Sequence, residues 1–296
     1  MAGPTAVGKT AVAHRIAAGR GLAILSADAM LVYRGMDIGT AKPSAAERAA
    51  VSYLGIDLAD PSDMFSAGAW LEHVRVSLPN APVIVAGGTG LYIKALLQGL
   101  DAGAPPDPAL RAELEALAAD KGLEALRQKL LNEYPDWYAS VRDRENPRRL
   151  IRAIEIAHSG APPPKANLPP VRITGLYMER GALEKRIARR VDLMYQNGLM
   201  EEVRRLREQH PRLSETAAQA IGYAEAAAVL SGKMPLAEAK ERTVLRTRQL
   251  AKRQMTWFRH QAEVDWIEVK PGMTVGETAE QVCAAWAKQG PVRLNV

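Results

Sequence analysis

The chain has 296 residues, of which 47% are hydrophobic and 24% are charged, and its formal net charge is +6 at pH 7. This composition is typical of a globular protein with a sizeable core and a smaller attached unit. No apolar run approaches the roughly 18 residues of a membrane-spanning helix, and no signal segment opens the chain, so we expect a cytoplasmic protein without a membrane partner. The single cysteine, Cys283, excludes an internal disulfide and a cysteine-based zinc cluster within one chain.

The first residues match the G-x-x-x-x-G-K-[ST] pattern, which is formed here by Gly3, Pro4, Thr5, Ala6, Val7, Gly8, Lys9 and Thr10. In such a glycine loop, backbone N–H groups at a helix start surround a diphosphate or triphosphate, because glycine lets the backbone bend around the anion. The pattern assigns Lys9 to the terminal phosphate and the Thr10 hydroxyl to Mg²⁺. A chance loop of small residues is the alternative, which the four matched positions and the helical segment behind them disfavour.

Only Met1 and Ala2 precede this loop, although such a loop normally follows a buried parallel strand. Two residues are too few to build a strand. Either the sequence begins downstream of its natural start, in which case upstream residues would raise the melting temperature, or the sheet lacks its usual central strand.

Two further segments predict strands that end at polar residues. Residues 21–28 end at Asp28, and residues 82–86 lead through two glycines to Thr89. Ligands of open parallel sheets bind at the carboxyl ends of the strands, so we expect Asp28 and Thr89 to lie near the glycine loop. A helix-cap or turn role is the alternative for Asp28. Residues 30–43 contain too much glycine for a regular element and indicate a loop around a ligand.

Proline-rich linkers at residues 101–108 and 160–165 accompany a change in composition, and residues 109–131, 134–144 and 146–158 have helical spacing. We therefore predict an α/β fold, with a P-loop parallel-sheet core of residues 1–104 and 146–296 and a helical insertion of residues 105–145. Residues 171–178 and 264–269 predict further strands of the core, and residues 274–288 a final helix.

Arginines are concentrated in several predicted helices. Those near the start of 146–158 oppose the helix dipole, so either an external anion or Asp143, Glu145 and Glu155 should compensate them. Arg186, Arg189 and Arg190 lie on or near one helix face. The helix of residues 238–260 carries cations and aromatic residues, a combination that suits either a solvated surface or phosphate contacts with base stacking: Arg248, Lys252, Trp257 and Phe258.

Several blocks of sequence resemble the bacterial tRNA dimethylallyltransferases, and together they span Gly3 to about His260. They are Gly3–Thr10, Ser26–Asp28, Tyr33–Pro43, Gly87–Tyr92, Arg149–Glu155, Ile221–Tyr223 and Thr247–Arg259. The resemblance implies an adenylate-kinase-like core and an inserted helical domain that binds the anticodon stem-loop of tRNA. It also implies transfer of a dimethylallyl group from dimethylallyl diphosphate to N6 of an adenosine next to the anticodon, with Mg²⁺ as cofactor and diphosphate as product. We expect a monomer.

The resemblance also implies residue roles. Asp28 would accept the N6 proton, Thr89 would orient the reacting groups, and Lys9 would stabilise the departing diphosphate. The residues expected to contact tRNA are Asp28, Ala29, Met30, Leu31, Thr89, Arg111, Arg148, Arg149, Leu150, Ile151, Arg152, Gln219, Ala220, Ile221, Gly222 and Tyr223. Two departures concern recognition of the substrate: Ala29 stands where the family usually has serine, and Ser52–Tyr53 replace an expected histidine pair.

Two other functions fit parts of the sequence. An ATP-dependent kinase of a small molecule or nucleoside would use Asp28 to activate a hydroxyl, but it gives the arginine-rich helices no role. An RNA-binding module could bind nucleotide only to stabilise its fold. The N-K-x-D pattern of GTP switches is absent from the sequence, which argues against that class.

Overall fold

The computed structural model describes residues 1–100, 107–141, 143–163 and 172–295. The chain divides into unit 1, Met1–Gln98 with Pro170–Val296, and unit 2, Gly99–Pro169. Among the described residues, no helix is both long and apolar enough to cross a membrane.

Parallel strands form the centre of unit 1. They are β1 (Ala23–Ala27), β2 (Tyr53–Leu54), β3 (Val83–Gly87), β4 (Arg172–Tyr177) and β5 (Glu263–Glu268). One set is ordered β2–β1–β3 and the other pairs β4 with β5, and every pair is parallel. The mixed α/β class with a parallel sheet, predicted from the sequence, is confirmed, although the two-residue strand β2 was not predicted.

Met1 and Ala2 lie between the two sets of strands. The Gly87 N–H donates to the Met1 carbonyl over 3.2 Å on the β3 side. On the β4 side, the Ala2 N–H donates to the Thr174 carbonyl and the Leu176 N–H to the Ala2 carbonyl, each over 2.9 Å. These two residues therefore occupy the place of the central strand that the sequence pattern called for, and they connect β3 to β4.

The helices of the described residues, in chain order, are α1 (Lys9–Arg20), α2 (Ala45–Ala50), α3 (Ala67–Ser77), α4 (Gly90–Gln98), α5 (Pro108–Glu133), α6 (Pro135–Ser140), α7 (Pro147–His158), α8 (Arg180–Gln196), α9 (Leu199–Gln209), α10 (Glu215–Ala218), α11 (Tyr223–Leu230), α12 (Leu236–Gln261) and α13 (Val275–Gln289). Of these, α5, α6 and α7 belong to unit 2. In unit 1, the apolar side of α1 packs with the strands and with α13, and its core includes Val12, Ile16, Ile24, Ile84 and Val282.

Unit 2 has its own core, formed where α7 packs against α5 and α6. Leu114, Leu126, Leu130, Leu150 and Ile154 are all at most 1% exposed. Because the buried side of α7 belongs to this core, unit 2 extends beyond residue 145, where we expected the insertion to end. The other expected boundary, at residues 104–105, lies outside the described residues. So do residues 101–106 and 164–165 of the two linkers and residue 171 of the predicted fourth strand.

Candidate active site

The glycine loop, Gly3–Thr10, ends at a helix start that carries no capping side chain. Gly8, with φ 106°, is the N-cap residue of α1. The first turn of α1 has no acidic residue, and no side chain of the described residues accepts a hydrogen bond from the N–H groups of that turn. Gly3 has φ 143°, and a Cβ there would lie 2.4 Å from the Leu176 carbonyl oxygen, so only glycine fits. Unsatisfied N–H groups and the helix dipole favour an anion at this position.

Lys9 folds back over the glycine loop. Its Nζ donates to the carbonyl oxygens of Gly3 (2.9 Å) and Pro4 (2.7 Å). Burial lowers the pKa of Lys9 to about 8, an effect that the nearby Asp28 carboxylate opposes and the Arg190 guanidinium reinforces. A bound anion would raise this pKa again, because negative charge favours the protonated amine.

A cleft of about 620 Å³ lies beside the loop. It brings together the loop, the ends of β1 and β3, residues 40–43 and one face of α8. Its lining includes Thr5, Ala6, Gly8, Lys9, Thr10, Ser26, Asp28, Leu31, Thr40, Ala41, Pro43, Tyr53, Gly87, Arg186, Arg189, Arg190, Leu193 and Gln254. The structure thus places Asp28 and the glycine loop in one cleft.

Thr89 does not line this cleft but positions the backbone around Asp28. Its N–H donates to the Ala27 carbonyl, and its Oγ1 accepts the Ala29 N–H, each over 3.0 Å. The Asp28 Oδ1 accepts the Met30 N–H over 3.0 Å. Thr89 therefore binds both residues that flank Asp28, and the second oxygen of the Asp28 carboxylate has no partner among the described residues.

Three arginines of α8, which the sequence placed on or near one helix face, line the cleft. Arg190 donates to the Thr5 hydroxyl and to the Thr40 carbonyl, each over 3.2 Å. Burial lowers the pKa of Arg190, against the effect of the Asp28 carboxylate. Arg186 and Arg189 are exposed and have no acidic partner among the described residues. The cleft therefore carries a marked excess of positive charge.

A buried lysine stabilises the irregular segment of residues 30–43. The Lys42 side chain is fully buried, and its Nζ contacts the Tyr33 carbonyl (2.7 Å), the Asp37 carboxylate (2.7 Å) and the Asp57 carboxylate (2.6 Å). A buried ammonium with two carboxylates and a carbonyl is well compensated. The sequence predicted a ligand-binding loop here, and residues 40, 41 and 43 do line the cleft.

Glu202 of α9 fixes the middle of the same segment. Its carboxylate accepts the N–H groups of Asp37, Ile38 and Gly39 and, over 2.5 Å, the Tyr223 hydroxyl. Burial raises the pKa of Tyr223, and the Glu202 charge adds to this effect. No local pattern predicts this cluster, because its members are up to about 190 residues apart in the chain.

Tyr223 was one of five consecutive residues expected to contact tRNA. It is 2% exposed, and Gly222 and Ala220 are also buried, so the structure gives these three a packing role instead. Gln219 is exposed and Ile221 is half-buried, which leaves these two with surface for an RNA partner.

In unit 2, acidic side chains compensate most of the predicted tRNA-binding arginines. Glu155 is buried and accepts two hydrogen bonds from Arg111 (2.8 and 2.7 Å) and one from Arg152 (3.3 Å). Arg149 lies 3.6 Å from Asp143. Asp143 and Glu155 are thus among the compensating anions we considered, whereas Glu145 pairs with Arg127.

Two apolar members of the predicted tRNA-binding set in unit 2 are buried in its core. Leu150 is 0% and Ile151 is 6% exposed, because they lie on the side of α7 that packs against α5. Their side chains therefore have no surface for RNA. Arg148 and Arg149, at the start of α7, are exposed.

The expected stacking role of the aromatic pair on α12 is wrong for Phe258, which is fully buried. Trp257 packs so closely on Gly90 that a Cβ at Gly90 would lie 2.3 Å from its ring. Lys252 is exposed, and Arg248 lies 3.8 Å from Glu184. The basic surface of α12 is therefore partly neutralised.

No group of three His, Cys, Asp or Glu side chains that could bind a metal occurs within the described parts of the chain. The oxygen-bearing side chains that line the cleft include the exposed Thr10 hydroxyl, at the start of α1, and the Asp28 carboxylate. Mg²⁺ commonly binds one or two protein oxygens and completes its shell with phosphate oxygens and water, so this sparse donor set fits it.

A parallel α/β unit with a glycine loop at an uncapped helix start and a free carboxylate oxygen in one basic cleft is typical of enzymes that act on phosphate esters or diphosphates. The family model for IPP transferase matches residues 31–261, and the family model for isopentenyl transferase matches residues 1–56. The tRNA dimethylallyltransferase of Bacillus velezensis is 39% identical over 95% of this chain and 94% of that protein. The chain belongs to the IPP transferase family, whose members include proteins named tRNA dimethylallyltransferase.

Solved structures agree with this assignment. The tRNA isopentenylpyrophosphate transferase of Bacillus halodurans has a TM-score of 0.69 and 36% identity, with 97% of this chain and 95% of that chain covered. A eukaryotic dimethylallyltransferase has a TM-score of 0.78 over 99% of this chain and 80% of that chain. At 21% identity, this second likeness concerns the fold alone.

Proposed function

We propose that this chain transfers a dimethylallyl group from dimethylallyl diphosphate to N6 of an adenosine next to the anticodon of tRNA and releases diphosphate. The observation that carries the proposal is the single cleft that contains both Lys9 in its glycine loop and Asp28. The relatives named tRNA dimethylallyltransferase support the transferase over the kinase.

On the donor side, the glycine loop is a P-loop in an adenylate-kinase-like core and binds the diphosphate. Lys9 exchanges its contacts with the Gly3 and Pro4 carbonyls for phosphate oxygens. The N–H groups at the start of α1, with Arg186 and Arg189, stabilise the negative charge that develops as the allylic C–O bond breaks. The dimethylallyl chain contacts the apolar part of the lining, which comprises Leu31, Ala41, Pro43, Tyr53 and Leu193.

Mg²⁺ is the proposed cofactor, with the Thr10 hydroxyl as its protein ligand. When bound, it neutralises charge on the diphosphate. The Thr10 hydroxyl, at the start of α1, would hold the ion beside the N–H groups of a helix start that has no side-chain cap.

On the acceptor side, Asp28 is the proposed general base. Adenine N6 is a weak nucleophile because its lone pair is delocalised into the ring, so it must lose a proton as the N6–C1 bond forms. Asp28 accepts that proton on its unpartnered oxygen, and the pair of electrons of the broken C1–O bond leaves with the diphosphate. Thr89 keeps Asp28 in position through the hydrogen bonds to Ala27 and Ala29.

The adenosine must leave its stack to reach such a cleft, so the remaining tRNA lies on the protein surface. The residues proposed to contact it are those of the predicted set that have surface: Asp28, Ala29, Met30, Thr89, Arg111, Arg148, Arg149, Arg152, Gln219 and Ile221. Unit 2 is the proposed inserted domain for the anticodon stem-loop, and the enzyme is proposed to act as a monomer.

The test is mass spectrometry of nucleosides digested from unmodified tRNA after incubation with the protein, Mg²⁺ and dimethylallyl diphosphate. A parallel reaction contains ATP in place of the donor. A five-carbon addition to adenosine is the expected result. No prenylated adenosine, together with ADP release in the ATP reaction, would contradict the proposal and favour the kinase.

A further inference from the structure

Gln254 connects two separate segments of the chain at the cleft through one side-chain amide. Its Oε1 accepts the Thr5 N–H over 2.7 Å, and its Nε2 donates to the Gly88 carbonyl over 3.0 Å. Thr5 belongs to the glycine loop, whereas Gly88 belongs to the turn that follows β3. The amide is thus a direct bridge between the loop that faces the diphosphate and the turn that carries Thr89.

The bridge requires a side chain that both accepts and donates at these two atoms. A carboxylate only accepts, and an ammonium or guanidinium only donates, so none of the charged side chains replaces both bonds. The approach is close: a Cβ on Gly88 would lie 2.2 Å from the Gln254 Nε2. Glycine at position 88 and an amide at position 254 therefore fit each other.

The bond to Thr5 affects which loop N–H groups face the cleft. Because the Thr5 N–H points to Gln254, the peptide between Pro4 and Thr5 has a fixed orientation. The following residue, Ala6, has φ 65°, an uncommon conformation for alanine, which the surrounding contacts must stabilise. Gln254 supplies one of those contacts, and Arg190 supplies another through the Thr5 hydroxyl.

The bond to Gly88 acts on the turn that follows β3. The next residue, Thr89, binds the backbone on both sides of Asp28. A displacement of the Gly88 carbonyl would thus displace Thr89 and, through it, the carboxylate. Since Gln254 contacts both the glycine loop and this turn, it couples the position of the loop to that of the Asp28 carboxylate.

We propose that Gln254 is a positioning residue that sets the separation between the glycine loop and the Gly88–Thr89 turn. This inference rests on the proposed function, in which the loop binds diphosphate and Asp28 accepts the proton. Gln254 contacts neither substrate in this account. Its effect is on kcat and on diphosphate affinity, because a misplacement of about 1 Å at a reacting centre costs up to about 100-fold in rate.

The test compares Gln254→Glu and Gln254→Ala with the wild type, with Gln261→Ala as a control at an exposed glutamine of the same helix. We expect Gln254→Ala to lower kcat by about 10- to 100-fold while tRNA affinity stays within about twofold. Gln254→Glu distinguishes positioning from general packing. Its carboxyl group both donates and accepts when protonated, but only accepts when ionised.

The rate of Gln254→Glu relative to the wild type at the same pH should therefore rise by about fivefold or more from about pH 8 to about pH 5.5. Division by the wild-type rate at the same pH removes the pH effects that the two proteins share. A ratio that does not change with pH, or a Gln254→Ala kcat within about twofold of the wild type, would overturn the inference.

Calorimetric binding of inorganic diphosphate by the same proteins repeats the comparison without turnover. If the wild type transfers no prenyl group but the diphosphate affinity of Gln254→Glu rises relative to the wild type at low pH, the proposed function fails and the positioning role stands. If the wild type is active and both ratios stay constant, the positioning role fails.

Discussion

Two groups of cations in this chain have similar spacing but different surroundings. In unit 1, Lys9, Arg186 and Arg189 line the cleft, and neither arginine has an acidic partner among the described residues. In unit 2, Arg111 and Arg152 both contact the buried Glu155. The cleft cations can bind an external anion, whereas the unit 2 pair already has an internal one.

Sequence patterns do not reveal this difference. Arg186 and Arg189 are three residues apart, as are Arg149 and Arg152, and both pairs lie on helices. Glu155 follows Arg152 by three residues, which indicates one ion pair on α7. The second arginine that contacts Glu155 is Arg111, which lies on another helix. An exposed arginine indicates a binding surface for an anion only where no acidic side chain of the protein already pairs with it.

The largest expected effect concerns Lys9. Because Lys9→Ala removes the charge that stabilises the departing diphosphate, turnover should fall by about 100- to 10,000-fold, whereas tRNA affinity should change by less than about threefold. Steady-state kinetics and filter binding measure the two quantities. Lys270→Ala, at an exposed lysine outside the cleft, is the matched control. An equal loss of tRNA binding would contradict the role given to Lys9.

The second prediction concerns the stability of unit 2. Glu155→Gln removes the charge shared by Arg111 and Arg152 in a buried position, so the free energy of unfolding should fall by about 2 kcal/mol. Urea denaturation and hydrogen exchange of α5 and α7 would measure the change. Glu145→Gln, at an exposed partner of Arg127, should change stability by less than about 0.5 kcal/mol. Equal free energies of unfolding for the two variants would show that the Glu155 cluster contributes no more to stability than the exposed pair of Glu145 and Arg127.

The third prediction separates the two groups directly. Arg186→Ala should raise the KM for dimethylallyl diphosphate by about tenfold with little change in stability, because its side chain lines the cleft without an acidic partner. Arg111→Ala should lower stability and leave that KM within about twofold. Steady-state kinetics and thermal melts of both variants measure the two effects. A raised KM in Arg111→Ala together with a lower stability in Arg186→Ala would contradict the distinction.

The smallest effect is a pH dependence. With a pKa of about 8, Lys9 is charged below that pH and neutral above it in the free enzyme. The kcat/KM for the donor should therefore fall as pH rises through about 8, by up to about tenfold per pH unit. Lys9→Arg should move this fall to higher pH, since arginine stays protonated. A fall that is identical in Lys9→Arg would assign it to another group.

Much of the fold followed from local patterns. The segments predicted as β1, β3, β4 and β5 and as α1, α7, α12 and α13 agree with the structure to within about two residues at most ends, because apolar runs and helical spacing are local signals. The two-residue strand β2 has no such period. The sequence predicts that the helical insertion ends at residue 145, before α7, whereas unit 2 includes α7. The sequence of α7 shows an apolar side but does not indicate which of the two cores that side packs into.

The candidate site was predicted where a motif is contiguous and missed where contacts connect distant segments. The glycine loop and Asp28 could be named from the sequence, and the structure places them in one cleft. Gln254 and Glu202 act on residues more than 160 positions away, and no local pattern encodes such a partner. Burial caused the other errors: Tyr223 and Leu150 belong to blocks expected to bind tRNA, yet they pack inside the protein.

The most direct test of the central claim, that one cleft combines a diphosphate site with a base, is single-turnover transfer by Asp28→Asn. The asparagine keeps the size and a hydrogen-bond acceptor for Met30 but cannot take the N6 proton. We predict that the transfer rate at saturating substrates falls by about 100-fold or more, while the affinities for tRNA and inorganic diphosphate stay within about threefold of the wild type. Transfer at close to the wild-type rate would show that Asp28 is not the base and would contradict the account.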